Sequence, residues 1–491
     1  MSESYRVQVE SAVPASAVEG LADFITTHYL TPNIQYLKDG GFSSGKDGAR
    51  RNIIWTLDPS KSARVLPAGF PELTVRLSVS PGETVVEFPG ADVSRRDVKA
   101  ICDHIADDIE AVATSYLTHA KRTSLHFLFS VGHQEWDMPK SGGFGKDALK
   151  RIFAGNNMNL YLILMAVSFV FILLLGPYGV VAIVVVQLLA LIFSDRLILG
   201  AGTVRVTEQH PEVAVVRVSC SPEVFQSLKK QGRKVASSVR DEIDKAVSSG
   251  NVGDPATKDA VYRILQQAGV TCSPDDIEVR KTNPYETVKK VAARFGMPMP
   301  KITLVNTPVD NAAATGISPG HASITITAGA LEDLGEDELQ SVLGHEFGHI
   351  RGRDAIILFI VTMVVYLGGL YLWLPIIIDL GLFYFLIAFG FIYLVGKFLE
   401  TRADTESVMV LGQPGVLASA LTRIGFAQLY YERYSSQTRF FDWLRFDPHP
   451  PIYFRVGRLA KMSEKDTRIK HALLDSVRDV VSGFFGSLLG S

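Results

Sequence analysis

Two stretches of this chain lack the alternation of apolar and polar positions found elsewhere in it. Leu160 to Phe193 and Ala355 to Phe398 are almost continuously apolar. The first divides into 159–175 and 178–193 around Gly176-Pro177-Tyr178, a hard stop for a helix. The second divides into 355–374 and 376–396, with Pro375 and Asp379 at the turn. A helix crosses a bilayer with about 17–25 residues. The pattern therefore predicts four transmembrane helices in two hairpins, 156–194 and 355–398. For the first pair, near the lower length limit, a shallow hairpin or a buried helix pair is the alternative. Lys146, Lys150, Arg151, Arg196, Arg351, Arg353, Lys397 and Arg402 flank these segments, and the short connectors carry no Lys or Arg. That bias predicts a multi-pass protein of the cell membrane with its large segments in the cytoplasm.

The remaining sequence mixes period-two and helical patterns. Tyr5 to Val9 alternates, Leu73–Val79 and Val85–Phe88 flank a Pro-Gly turn, and 95–117 has helical periodicity. Residues 1–150 are thus expected to form an N-terminal α+β soluble domain, and they carry no catalytic signature. A similar hairpin-then-helix pattern at 203–247 places an α+β connecting segment at 200–255, with a linker at 251–257. Glu286 to Phe295 reads as a helix, 301–305 and 323–327 as strands, and 335–338 as the acidic first turn of another helix. The expected fold class is an α+β multidomain integral membrane protein whose helix-rich core comes in two parts, 256–354 and 399–491. Leu473 to Leu489 has apolar residues on helical spacing, suited to packing on that core or to the lipid interface.

Composition narrows the partners. Lys+Arg 49 against Asp+Glu 51 over 491 residues gives a net charge of −2, without the basic excess that nucleic acid demands. Cys102, Cys220 and Cys272 are scattered, which excludes a disulfide framework or a thiolate metal site. The N-terminus lacks an apolar core, so no cleavable signal peptide is expected.

The chemistry sits at His345-Glu346-Phe347-Gly348-His349. Histidines at i and i+4 project from one helical face and can hold one ion together. The glutamate between them is placed to take a proton from water activated there. Gly348 is a poor helix residue, which implies close packing or room for a ligand. A catalytic zinc site needs a third protein ligand, and Glu400 is the best candidate, with Glu406 the fallback. Asp404, one turn beyond Glu400, is suited to accept a hydrogen bond from the far nitrogen of a ligand histidine.

This constellation resembles the HtpX-type membrane zinc metalloproteases, related to the CAAX prenyl endopeptidases. Met297-Pro298-Met299-Pro300-Lys301, Asn311 to Gly316, Ile324 to Leu331 and His449-Pro450-Pro451 with Arg455 match further family segments over roughly 285–460. The resemblance implies one Zn2+ per chain on His345, His349 and Glu400, with Glu346 as base. It implies Asp404 behind the ligands, His449 beside the reacting carbonyl and Asn311 lining the cleft. Arg455 would be structural, in a salt bridge. The strand carrying Ile324 and Ile326 would be the edge that binds substrate. Ala313 stands where such proteins commonly have an aromatic residue. The implied activity is zinc-dependent endoproteolysis in membrane-protein quality control, with protein or peptide substrates, the lipid bilayer as a partner and no nucleic acid. A catalytically silent scaffold and a CAAX-type endopeptidase are the alternatives. If the histidine helix runs on to Ala355, the metal lies about 9 Å from the first apolar residue, beside the bilayer surface.

Overall fold

The computed structural model describes residues 4–9, 13, 17–31, 33–61, 70–122, 125–130, 170–171, 173–194, 204–218, 255–267, 272–371, 382–434, 439–444, 447–462 and 472–489. The chain divides into two compact units, residues 1–127 with 216–280, and 128–215 with 281–491. The first unit therefore also takes in part of the stretch read as connecting segment and core.

The first unit is built on strands β1 (Tyr5–Val9), β2 (Leu37–Asp47), β3 (Arg50–Leu57), β4 (Leu73–Ser80) and β5 (Glu83–Phe88), with helices α1 (Val18–Ile25) and α2 (Arg96–Arg122). The sheet is antiparallel in the order β1-β5-β4-β3-β2. Leu73, Val75, Leu77 and Val79 alternate into its core, as the period-two pattern requires. Gly82 closes the β4–β5 turn at φ +76°, a conformation that favours glycine. On α2, Val98, Cys102, Ile105, Ile109 and Ala113 recur every three or four residues and are all buried. Burial pushes the Cys102 thiol up to about 11, so it is an inert core residue.

Between the units' larger parts come β6 (Leu125–Ser130), α3 (Pro177–Ile192), β7 (Val204–Val206), β8 (Val213–Val218), α4 (Pro255–Gln267) and β9 (Ile277–Thr282). Residues 219–254, which carry the helical half of the pattern at 203–247 and the start of the expected linker, lie outside the described residues.

The second unit adds α5 (Pro284–Phe295), β10 (Lys301–Val305), β11 (Ala312–Gly316), β12 (Ala322–Thr327), α6 (Ala328–Asp333), α7 (Glu336–Gly352) and α8 (Asp354–Tyr371). It continues with α9 (Leu382–Leu411), α10 (Pro414–Tyr434), α11 (Arg439–Leu444), α12 (Ile452–Lys461) and α13 (Ala472–Leu489). Helix α5 forms where expected because Asn283 caps the Glu286 N–H and Gly296 ends the helix at φ +63°. The sheet order is β11-β12-β10-β7, with β10 and β12 parallel. Ile302, Leu304, Ile324 and Ile326 pack with Val291 and Phe295 of α5 and Leu343 and Phe347 of α7 in one core. Strand β12 is thus interior and buried at every position, and Ile324 and Ile326 are fully enclosed. This corrects the expectation that their strand is an edge; the strand at that edge of the sheet is β11.

Two further expectations are corrected. The histidine helix does not run on to Ala355: Arg353 takes φ +56° after Gly352, and α8 starts afresh at Asp354. The four transmembrane helices in two hairpins are not found either. Among the described residues, no helix is long and apolar enough to cross a membrane. Helix α3 has 16 residues and α8 has 18. At 1.5 Å per residue they span about 24 and 27 Å, short of a hydrocarbon core of about 30 Å. The 30-residue α9 is apolar only up to Lys397 and then carries Glu400, Arg402, Asp404 and Glu406. The start of the expected first hairpin and the turn of the second, with Pro375 and Asp379, lie outside the described residues.

Candidate metal centre

Helices α7 and α9 approach closely because α7 presents glycine every fourth residue. A Cβ at Gly348 would sit 3.0 Å from Ala403 Cα, and one at Gly344 would sit 2.6 Å from Ser407 Oγ. The helix-breaking Gly348 noted in the sequence is therefore a packing residue. It lets α9 bring Glu400 beside both histidines.

His345 Nε2 and His349 Nε2 are 3.0 Å apart, and each lies 3.3 Å from a Glu400 oxygen. Four-coordinate zinc with ligands at about 2.1 Å has ligand–ligand edges of about 3.4 Å, so the triangle matches. The far ring nitrogens both face carboxylates, and that of His349 is hydrogen-bonded. His349 Nδ1 donates to Asp354 Oδ2 at 2.7 Å, and His345 Nδ1 lies 2.8 Å from Asp404 Oδ1. Both Nε2 lone pairs then point at one spot, which suits a cation. Glu400 Oε2 is buried and accepts no hydrogen bond among the described residues. The donor set thus fits a divalent ion of zinc type, held by His345, His349 and Glu400.

The surrounding shell is charged and ordered. Arg455 grips Asp404 through two hydrogen bonds of 2.7 and 2.9 Å, with Nη1 3.7 Å from Glu400 Oε2. Burial alone would raise the Asp404 carboxyl, but the Arg455 and His345 charges outweigh it and hold the group far below the ordinary carboxylate range. Glu400 is likewise held well below that range: burial opposes ionisation, and the positive charges of His449 and His349 overcome it. Arg402 joins Asp354 at 2.6 Å, Glu406 at 2.8 Å and the Gly348 carbonyl at 3.2 Å. Glu406 is thereby committed to Arg402, which leaves Glu400 as the third corner.

Glu346 is buried, and its Oε2 accepts the Ala314 N–H at 2.6 Å. That N–H lies on the outer side of β11, away from β12. Asn311 stands just before β11, its N–H and carbonyl both bonded to the Thr327 hydroxyl. His449 faces the site from the loop before α12. Its Nε2 is 3.6 Å from Glu400 Oε1, its Nδ1 donates to Asp447 Oδ1 at 2.8 Å, and about half its side chain is exposed. The structure therefore brings His345, Glu346, His349, Glu400, Asp404, His449 and Arg455 together, sets Asn311 at the head of β11, and withdraws Ile324 and Ile326. Sequence reasoning missed Asp354, Arg402 and Asp447. A signal existed for Asp447, two residues before His449, and for Asp354, five after His349.

A helix bearing both histidines and a glutamate, with an acidic residue supplied by a second helix, defines a metal-dependent hydrolase. Residues 279–463 match the profile described as Peptidase family M48. The chain is 33% identical over 160 residues to a "Protease HtpX homolog" of Moorella thermoacetica, covering 28% of this chain and 54% of that protein. It is 31% identical over 210 residues to the "Protease HtpX homolog" of Pyrococcus furiosus, covering 36% and 73%. For that of Caldanaerobacter subterraneus subsp. tengcongensis the values are 30% over 214 residues, 36% and 71%. The chain belongs to peptidase family M48, among the HtpX-homologue proteases, and is a metallopeptidase.

Proposed function

We propose that the protein is a zinc-dependent endopeptidase that cleaves extended segments of unfolded or membrane-associated proteins, with one zinc on His345, His349 and Glu400. The observation that carries this reading is the ligand triangle with Glu346 beside an open strand edge. When bound, the ion supplies Lewis acidity to a substrate carbonyl and to water. Glu346, held at β11 by the Ala314 N–H, takes the water proton and passes it to the leaving amine. His449 donates from Nε2 to the developing oxyanion, while Asp447 on Nδ1 keeps that proton on Nε2. Asp404 and Asp354 hold the ligand imidazoles in the tautomer that leaves Nε2 free. Arg455 keeps Asp404 ionised and fixed. An extended peptide adds to β11 as a further strand from Asn311 onward, which selects unfolded chain over folded surface.

Attachment to a lipid surface fits the exposed apolar side chains Leu173, Leu174 and Tyr178 near the start of α3, and Phe383 and Ile387 on α9. Flanking Lys and Arg favour the anionic cytoplasmic leaflet. The test is proteolysis of an unfolded reporter by the native chain, by Glu346→Gln and in 1,10-phenanthroline. Both treatments are expected to lower the rate by about a thousandfold or more, and Glu346→Gln should retain its metal. Equal cleavage in all three would end the reading.

A further inference from the structure

The segment 447–455 is tied to α9 on both sides of His449. Beyond it, Arg455 grips Asp404. Before it, the Lys397 ammonium donates to the Asp447 carbonyl. Lys397, Glu400 and Asp404 stand three and four residues apart, on one face of α9. The two ties therefore bracket Glu400, the ligand that His449 faces. The first tie is closely fitted: a Cβ at Gly396 would sit 2.9 Å from Pro448 Cβ, so the missing side chain lets the loop reach the helix. Between the ties the backbone is stiffened by Pro448, Pro450 and Pro451, each of which fixes φ. Asp447 Oδ1 accepts both the His449 N–H, at 2.9 Å, and its ring Nδ1–H, at 2.8 Å. Lys397 takes the carbonyl of the same residue, so one chain of contacts runs from α9 through Asp447 to the imidazole. Lys397 is 2% exposed and lines an apolar cavity with Tyr393, Leu394, Trp443 and Phe484. Burying an ammonium there costs desolvation, and what the ammonium holds in place is the loop that carries His449.

We propose that Lys397 is the positioning residue of His449: by holding the Asp447 carbonyl it sets the place of the imidazole beside Glu400, 3.6 Å away, and so the aim of Nε2 at the oxyanion. The inference rests on the peptidase reading and deepens it. Lys397 acts through the loop rather than on the substrate.

Two variants test it. Lys397→Met removes the donor and keeps an unbranched side chain that suits the apolar walls. Gly396→Ala pushes Pro448 away without touching the lysine. Cleavage of the unfolded reporter by the full chain in neutral detergent micelles is measured for each, alone and combined with His449→Ala. Lys397→Met should lower kcat by about 10–100-fold. KM and zinc affinity should change by less than about twofold, the pattern of an interaction made only in the transition state. Gly396→Ala should show the same pattern more weakly. In the His449→Ala background each should cost less than about twofold, because the group it aims is gone. A merely structural lysine would cost as much with His449 as without it. Equal losses in the two backgrounds, or a native kcat in Lys397→Met, would overturn the proposal. If Lys397→Met does not fold, Gly396→Ala decides by the same two outcomes. Equal cleavage by the native chain and Glu346→Gln is a different result: it overturns the peptidase reading, and this inference with it.

Discussion

Both units have an apolar core, but they differ in how much charge they bury beside it. In the first, Leu21, Ile53, Leu77 and Ile109 belong to one continuous apolar cluster. The interior of the second holds His345, Glu346, Asp354, Glu400, Arg402, Asp404 and Arg455, all buried around one point. Apolar contacts are non-directional and individually weak. Buried charges are tolerated only when paired, and removing one partner strands the other. A methyl lost from the first unit should therefore be a local matter, whereas a charge lost from the second should disturb both fold and metal site.

That contrast can be broken by experiment. Glu400→Gln removes the ligand charge and should reduce zinc affinity the most, by more than the 10–100-fold typical of an outer-shell change, as read by competitive chelator titration. Retained affinity would refute the ligand triangle. Next, Asp404→Asn leaves Arg455 buried without its anion, and urea unfolding should show a loss of about 3–5 kcal/mol together with a 10–100-fold loss of zinc affinity. Its counterpart Ile109→Val should cost about 1 kcal/mol and leave zinc affinity unchanged. If Ile109→Val moved the affinity, or Asp404→Asn did not, the contrast would fail.

Acid sharpens the same comparison. Because the folded Asp404 carboxyl titrates below its unfolded value, its contribution is complete above about pH 4. It is lost as pH falls through the depressed folded value. Native stability should decline more steeply below about pH 4 than that of Asp404→Asn, and parallel declines would contradict the ion pair. The smallest effect is expected at Arg353, exposed and left-handed at φ +56°. Arg353→Gly should gain about 1 kcal/mol, and a loss would mean that the side chain has work at the helix break.

Much of this was legible in the sequence. The alternation in 73–79, the stripe along 98–113 and the cap and stop around 284–296 are local patterns, and the structure follows them. The histidine pair was legible too, since i, i+4 geometry is intrinsic to a helix; that Glu400 stands beside it while Glu406 meets Arg402 depends on how two helices pack. Strand order was not: β12 reads as an alternating strand whether it lies at an edge or inside. The apolar lengths misled because an apolar run does not fix the length of the helix within it: α3 has 16 residues and α8 has 18, and α9 turns polar from Lys397 onward.

The sequence by itself determined the strands and helices outside the apolar blocks, the alternation of their core positions and the i, i+4 histidine pair, because each depends on neighbours a few residues away. Only the tertiary structure decided that β11 lies at the sheet edge with Ala314 against Glu346, and that Arg402 reaches back to Asp354 and to the Gly348 carbonyl. Those outcomes depend on groups some 30 to 50 residues apart. Burial forces such groups to find partners, and no local pattern encodes which partner is within reach.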